Sequence, residues 1–240
     1  MKDEAPNVSR ALSSVPRNSV ILAIDAQSQD RSVSIAREFG AHIIVRPWAG
    51  FVDTRRFAVG KVTTPWTFML DADESLDGEL GRALERVQPE PDVDGYAVKR
   101  ATYFCGRAMR HGTWGADMPL RFFRTERALL VANPVAGGVA DVHERWTVRG
   151  RTETVAGTLL HYSYPTLAAY GAKLRRYTSL EARGLRGSPF TLAREALLAL
   201  LRVPNALFVR SGWRDGWRGA YVALGSAAYP VIVAWKALRS

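Results

Sequence analysis

Short apolar runs alternate with amphipathic stretches along the first hundred residues. Ser19–Ile24 (SVILAI) is apolar, β-branched and followed by Asp25; His42–Val45 (HIIV) is a second such run; Trp66–Leu70 (WTFML) is a third, followed by Asp71. Arg31–Phe39, Phe51–Val62 and Glu79–Val87 carry helical spacing between and after them. Asp30 is placed to cap the first of these helices, because its carboxylate can accept from the free N–H groups of the first turn, and Gly40 is placed to end it. Strands alternating with helices predict a parallel α/β sheet.

From Gly95 to Arg124 the pattern shortens to strand-like GYAVKR and PLRFFR on either side of a glycine-containing turn, HGTWGAD, and residues 131–138 read as loop. Beyond Pro165 the pattern is helical. Leu167, Tyr170, Leu174, Tyr177 and Leu180 recur at three- and four-residue steps, one face of a helix ending near Gly184. Ser188-Pro189 punctuates before a further helix, Thr191–Leu201. This divides the chain into an α/β domain over 1–164 and a helical extension over 165–240.

Charge changes the picture once it is located. The formal net charge is +10, and Tyr170–Ser240 holds 12 Lys/Arg against 3 Asp/Glu, or +9, leaving 21 against 20, or +1, in the first 169 residues. A neutral body with a basic, Trp-rich tail points to an anionic membrane surface, the alternative being an Arg-rich solvated face. It argues against nucleic acid, which a basic footprint across the whole domain would favour. Gly219–Trp235 is seventeen residues without a charge, short of the roughly 20 apolar residues of a spanning helix. With Arg214, Arg218, Lys236 and Arg239 at its ends and Trp213, Trp217 and Trp235 nearby, it reads as a helix lying in the interface, or as a buried helix packed on the catalytic body. The single cysteine, Cys105, excludes an internal disulfide, and the N-terminal MKDEAPNVSR has no apolar signal core. Both fit a cytoplasmic protein, peripheral on the inner face of the membrane.

Chemistry is expected beyond the carboxyl ends of the strands, where open α/β sheets bind ligands. Asp25 and Asp71 stand there, and the second continues as Asp71-Ala72-Asp73-Glu74. Residues two apart on extended chain project to one side, so Asp71 and Asp73 can converge on a hard cation, Mg²⁺ or Mn²⁺. No GxGxxG or GxxxxGK[ST] cradle is present in the sequence. A cation bridging a carboxylate pair and a diphosphate would hold such a ligand instead, and would stabilise a departing nucleoside diphosphate. Glycosyl transfer is the reaction this arrangement suits; turn and helix-cap work is the other use for Asp25 and Asp71.

These residues sit in a longer series. Lys2-Asp3-Glu4-Ala5 resembles a K-N-E-E near a nucleotide pocket, Asp25-Ala26-Gln27-Ser28-Gln29-Asp30 a D-S-G-S-T-D, Arg46-Pro47-Trp48-Ala49-Gly50-Phe51 an R-x-W-x-G-[FY] step, and Leu70-Asp71-Ala72-Asp73-Glu74 an L-D-A-D-E. Arg110-His111-Gly112-Thr113-Trp114, Leu120-Arg121-Phe122-Phe123-Arg124, Val142-His143-Glu144, Leu160-His161-Tyr162-Ser163-Tyr164 and Asp215-Gly216-Trp217 extend the likeness almost end to end. In this order they resemble the family-2 glycosyltransferases of the GT-A fold, particularly the lipopolysaccharide core branch.

The resemblance implies an α/β, Rossmann-like, mostly parallel sheet with flanking helices and a C-terminal helical extension. It implies a nucleotide-sugar donor, a glycolipid or envelope polysaccharide acceptor, and inversion at the anomeric carbon. Asp25 would contact the nucleobase with Glu4 nearby, Arg55 would lie near the diphosphate, Asp71 would face ribose and metal, and Asp73 and His161 would bind the metal. A base must take the acceptor hydroxyl's proton. Glu144, which precedes His161 by 17 residues, is favoured, with Asp117 the other candidate. The sequence departs from the family in Asp3 for Asn, Gln27 for Gly, Arg56 for Asn, and in having no complete strand before Lys2. A catalytically impaired nucleotide-sugar- or lipid-binding remnant of the same fold is the alternative these departures raise.

Overall fold

The structure is a computed structural model that describes residues 1–132, 144–183 and 185–239. The elements run α1 (Ala5–Ser13), β1 (Leu22–Asp25), α2 (Ser32–Glu38), β2 (His42–Val45), α3 (Phe51–Val59), β3 (Trp66–Phe68), β4 (Glu74–Leu76), α4 (Gly78–Arg86), β5 (Val93–Phe104) and β6 (Arg107–Ala108). They continue as β7 (Leu120–Arg124), β8 (Ala128–Ala132), β9 (Glu144–Val148), β10 (Arg151–Tyr164), α5 (Leu167–Ala182), α6 (Pro189–Pro204) and α7 (Trp217–Leu238). The alternation expected from Ser19 to Val87 is present, with one strand not expected, β4, between β3 and α4; α1 lies ahead of it. Of the segments read from sequence, most of 131–138, Val142 and His143, and Gly184 lie outside the described residues.

The sheet is mixed where a mostly parallel one was expected. β1 and β2 pair in parallel, Asp25 opposite Val45, whereas β3–β7, β5–β7, β5–β6 and β4–β10 are antiparallel. For β5–β6 the reason is connection length, since a parallel pair needs a crossover of about a dozen residues or more. β5 and β6 are joined by Cys105-Gly106 alone, both at positive φ (47° and 79°), the backbone of a tight hairpin turn whose twist matches its strands. The larger sheet runs β3-β7-β5-β10-β4.

Contacts divide the chain into two interleaved units. The first comprises Met1–Arg100, Met118–Val131 and Glu144–His161. Its core joins Leu76, Leu80, Val98 and Leu159, with a second cluster around Phe123, Leu130 and Trp146. Gly157, at φ 96°, passes so near α4 that an added Cβ would lie 2.2 Å from the Leu80 nitrogen, so only glycine fits there. The main chain of Met1 lies beside β1: its amino group donates to the Ile24 carbonyl at 2.6 Å and its carbonyl accepts from Ala26 at 2.8 Å.

The second unit comprises Ala101–Asp117 and the chain from Tyr162 onward, with Ala132–His143, almost all of it outside the described residues. Phe104, Met109, Tyr170 and Val222 form its centre, with Phe104 and Tyr170 edge to face at 5.5 Å. Ser188 caps α6 through the Thr191 N–H (3.1 Å), with Pro189 in the first turn as its fixed φ allows. α7 packs on α5 and α6, burying Val222, Ala223, Ala227, Val233, Ala234 and Ala237. Lys236 donates to the Arg175 carbonyl, Thr178 Oγ1 and Ser179 Oγ. The uncharged 219–235 segment therefore has an inner face packed on α5 and α6, and α7 is long and apolar enough to cross a bilayer.

Candidate active site

Sheet register positions the carboxylates. β3 lies antiparallel to β7, and just past its end Met69 donates to the Arg121 carbonyl at 2.8 Å, which brings Asp71 alongside the Arg121 side chain. β4 pairs with β10 so that Glu74 stands opposite His161, which brings Asp73 to the imidazole. Residues fifty to ninety positions apart in the chain thus meet through strand pairing.

Asp71 is clamped by two arginines. Arg55 Nη2 reaches both of its carboxylate oxygens at 2.9 Å, and Arg121 Nη2 reaches Oδ2 at 3.0 Å. Arg55 also contacts Glu144 Oε1 at 3.1 Å through its other nitrogen, while Arg121 donates to Glu74 Oε1 at 2.5 Å. Glu74 is 1% exposed, accepts from the Asp71 N–H at 3.0 Å and contacts Arg100 at 3.2 Å. Burial works to raise the Asp71 pKa, but the guanidinium groups of Arg121 and Arg55 outweigh it and hold the carboxyl well below the usual range. Burial likewise works against the Arg121 charge, and Glu74 and Asp71 more than restore it. The result is one chain of alternating charge, Glu144–Arg55–Asp71–Arg121–Glu74–Arg100, whose members need one another because unpaired buried charge is costly.

Asp73 Oδ2 lies 3.4 Å from His161 Nε2, both side chains about four-fifths buried (19% and 18% exposed). Among the described residues no three of His, Cys, Asp and Glu gather as a ready ion site. The structure brings Asp73 and His161 together, and turns Asp71 toward its arginines instead.

The two expected nucleotide-side segments do meet. Asp3 Oδ1 accepts from the Gln29 N–H at 2.7 Å, the Asp3 N–H donates to Ser28 Oγ at 3.0 Å, the Glu4 N–H to Ser32 Oγ at 2.7 Å, and the Ala5 N–H to Asp30 Oδ2 at 2.9 Å. The Glu4 carboxylate accepts from Asn7 at 2.8 Å. Asp25, 1% exposed, accepts from the Ser28 N–H and Oγ at 3.0 and 2.6 Å, which is turn work within its own loop. Gln27, where the family has glycine, holds φ 61°, and Asp3, where it has asparagine, holds φ 52°. Both backbones keep the left-handed conformation the family residues favour. Asp117 is half-buried and belongs to the second unit.

Sequence reasoning missed Arg121 and Glu74 as members of the site. The signal lay in β7, whose alternation puts Arg121 on the same buried side as Phe123; an arginine at a core position of a strand implies a buried acidic partner. It also missed that two distant motifs form one node. Asp215, 3% exposed, accepts from the Arg110 and His111 N–H groups at 3.0 and 2.9 Å and lies 3.0 Å from His111 Nδ1.

An α/β sheet of this kind, with carboxylates at its strand ends, has the fold of the GT-A glycosyltransferases. A mannosyltransferase of Pyrobaculum calidifontis, solved with GDP-Man and Mn²⁺, superposes over 99% of this chain and 85% of its own with a TM-score of 0.54 at 16% identity, a likeness of fold. The glycosyl transferase family 2 profile matches residues 1–140, more than half of the chain, and the protein belongs to that family of enzymes. An uncharacterized glycosyltransferase of Rickettsia prowazekii is 26% identical over 230 residues, 91% of this chain and 77% of its own. The lipopolysaccharide core biosynthesis glycosyltransferase LpsC of Rhizobium meliloti is 25% identical over 247 residues, 98% of this chain and 88% of its own.

Proposed function

We propose that this glycosyltransferase is metal-dependent and inverting, and moves a sugar from a nucleotide-diphosphate donor to a glycolipid or envelope polysaccharide acceptor at the inner face of the cell membrane. The observation that carries this is the pairing of Asp73 with His161 at 3.4 Å, two residues beyond a carboxylate held by two guanidinium groups. Carboxylate and imidazole donors suit Mn²⁺ or Mg²⁺. Asp71, Asp73 and His161 are the residues to hold it, Asp71 by exchanging an arginine contact. When bound, the cation supplies charge stabilisation for the departing diphosphate. The Pyrobaculum enzyme's GDP-Man and Mn²⁺ are ligands of the kinds this reading calls for, and the name of the Rhizobium relative agrees with an envelope glycolipid acceptor.

Arg55 and Arg121 supply fixed positive charge, and Arg55 exchanges Asp71 for diphosphate oxygens as the donor enters. Glu144 is the base that takes the acceptor proton, favoured over Asp117 because Arg55 ties it at 3.1 Å into the same network as Asp71. Asp25 and Glu4 form the nucleoside end, where the Lys2–Ala5 and Asp25–Ser32 segments interlock.

The test is donor hydrolysis and transfer across a panel of nucleotide-sugars with Mn²⁺ or Mg²⁺. Asp73→Ala is expected to lower turnover at least about 100-fold, the scale on which a charge-stabilising group is lost. Full turnover by that variant removes the metal assignment. Glu144→Gln and Asp117→Asn, compared in transfer assays, decide the base.

A further inference from the structure

α6 is turned inside out for a helix of a soluble protein. It buries no residue fully, while Phe190, Leu200, Phe208 and Val209 on it and the turn that follows are 79%, 69%, 70% and 76% exposed. Phe190, Leu197, Leu201 and Phe208 follow one another by seven, four and seven residues, spacing that returns to one side of a helix. The other side carries Glu195 and Arg202, joined at 2.8 Å, with Glu195 only 12% exposed. The Glu195 carboxylate faces inward and the large apolar side chains face out. An apolar stripe of this kind on a folded protein marks an interaction surface.

Charge on the second unit selects the partner. The three acids of the Tyr170–Ser240 tail are all engaged: Glu181 with the Tyr229 hydroxyl at 2.7 Å, Glu195 with Arg202 and Arg194, and Asp215 with the Arg110–His111 backbone. Arg194, Arg210 and Arg214 are exposed. A cleft of about 380 Å³ between α6 and α7 is lined by Arg202, Arg210, Asn205 and Ser226 together with Leu198 and Leu201. The buried Nη1 of Arg202 has no hydrogen-bond partner, and Leu201 belongs to both the cleft wall and the outward stripe. Apolar stripe, exposed arginines and a guanidinium-lined opening together match an acyl layer with anionic phosphate headgroups.

We infer that α6 and its following turn are a bilayer-inserting element, and that the α6–α7 cleft takes the phosphate of an anionic lipid through Arg202 and Arg210. This deepens the membrane reading of the tail and does not depend on the transfer reaction.

Flotation of the full chain with vesicles of phosphatidylcholine alone, or with phosphatidylglycerol added, tests it. Binding is expected with the anionic vesicles and is expected to weaken with salt. Leu197→Gln and Leu200→Gln are each expected to weaken partitioning about tenfold, whereas Leu129→Gln, at an exposed leucine of the first unit, changes it little. Arg202→Gln reduces the preference for anionic over neutral vesicles. Circular dichroism and melting temperature confirm folding, and donor hydrolysis in the absence of vesicles stays at the parent level in every variant. Equal binding to neutral vesicles, no loss of binding from the α6 variants, or a vesicle-independent dimer that the α6 variants abolish overturns the inference. Vesicle binding without donor turnover overturns the proposed reaction and leaves this inference standing.

Discussion

The arginine–carboxylate chain around Asp71 and the outward stripe of α6 break the same rule in opposite directions. In the first, Arg121 and Glu74 are 3% and 1% exposed, charges placed where apolar side chains belong. In the second, leucine and phenylalanine stand where charges belong. Each arrangement carries a cost that folding alone does not reward. The buried charges are matched within the protein, Arg55 and Arg121 each against two carboxylates, so that network keeps its shape before any ligand arrives. The apolar stripe has no match within its own unit, so its complement comes from outside. Burial of charge therefore reports a preorganised site, and exposure of apolar surface reports a partner.

The comparison breaks most decisively at Arg121. Arg121→Met leaves Glu74 buried with one guanidinium fewer and is expected to destabilise by about 3–5 kcal/mol, read as a fall in denaturation midpoint. A variant as stable as the parent would mean that the network is not structural. Asp215→Ala is expected to cost about 2–3 kcal/mol, because it strands the Arg110 and His111 N–H groups inside the second unit. A loss of less than about 0.5 kcal/mol would show that water satisfies those donors equally well. The smallest effect sharpens the contrast: Leu200→Ser, a large-to-polar change that would be severe in a core, is expected to shift stability by no more than about 0.5 kcal/mol. A core-sized loss there would mean that the stripe is covered in solution by another copy of the chain.

Much of the fold was legible in the sequence because period and punctuation are local properties. His42–Val45 is β2 to the residue, and the Asp30 carboxylate accepts from the Ser32 N–H at 2.9 Å while Gly40 follows α2 at φ 74°. Strand direction was not legible, because it depends on which strands find each other across the chain. The site divides the same way. Asp71, Asp73 and His161 could be named from their motifs, and the structure pairs the last two. Whether Asp71 faces an ion or an arginine is a question of register between β3 and β7, which no local pattern states.

The sequence by itself determined the order of strands and helices, the family, the acidic strand ends and the concentration of positive charge in the tail. Only the tertiary structure decided that Arg121 belongs to the carboxylate network, that the Arg110–Trp114 and Asp215–Trp217 motifs form one node, and that α6 leaves its apolar face bare. The physical reason is that composition fixes how much charge and apolar surface a segment has. Which side of it meets protein and which meets solvent is fixed by partners tens of residues away.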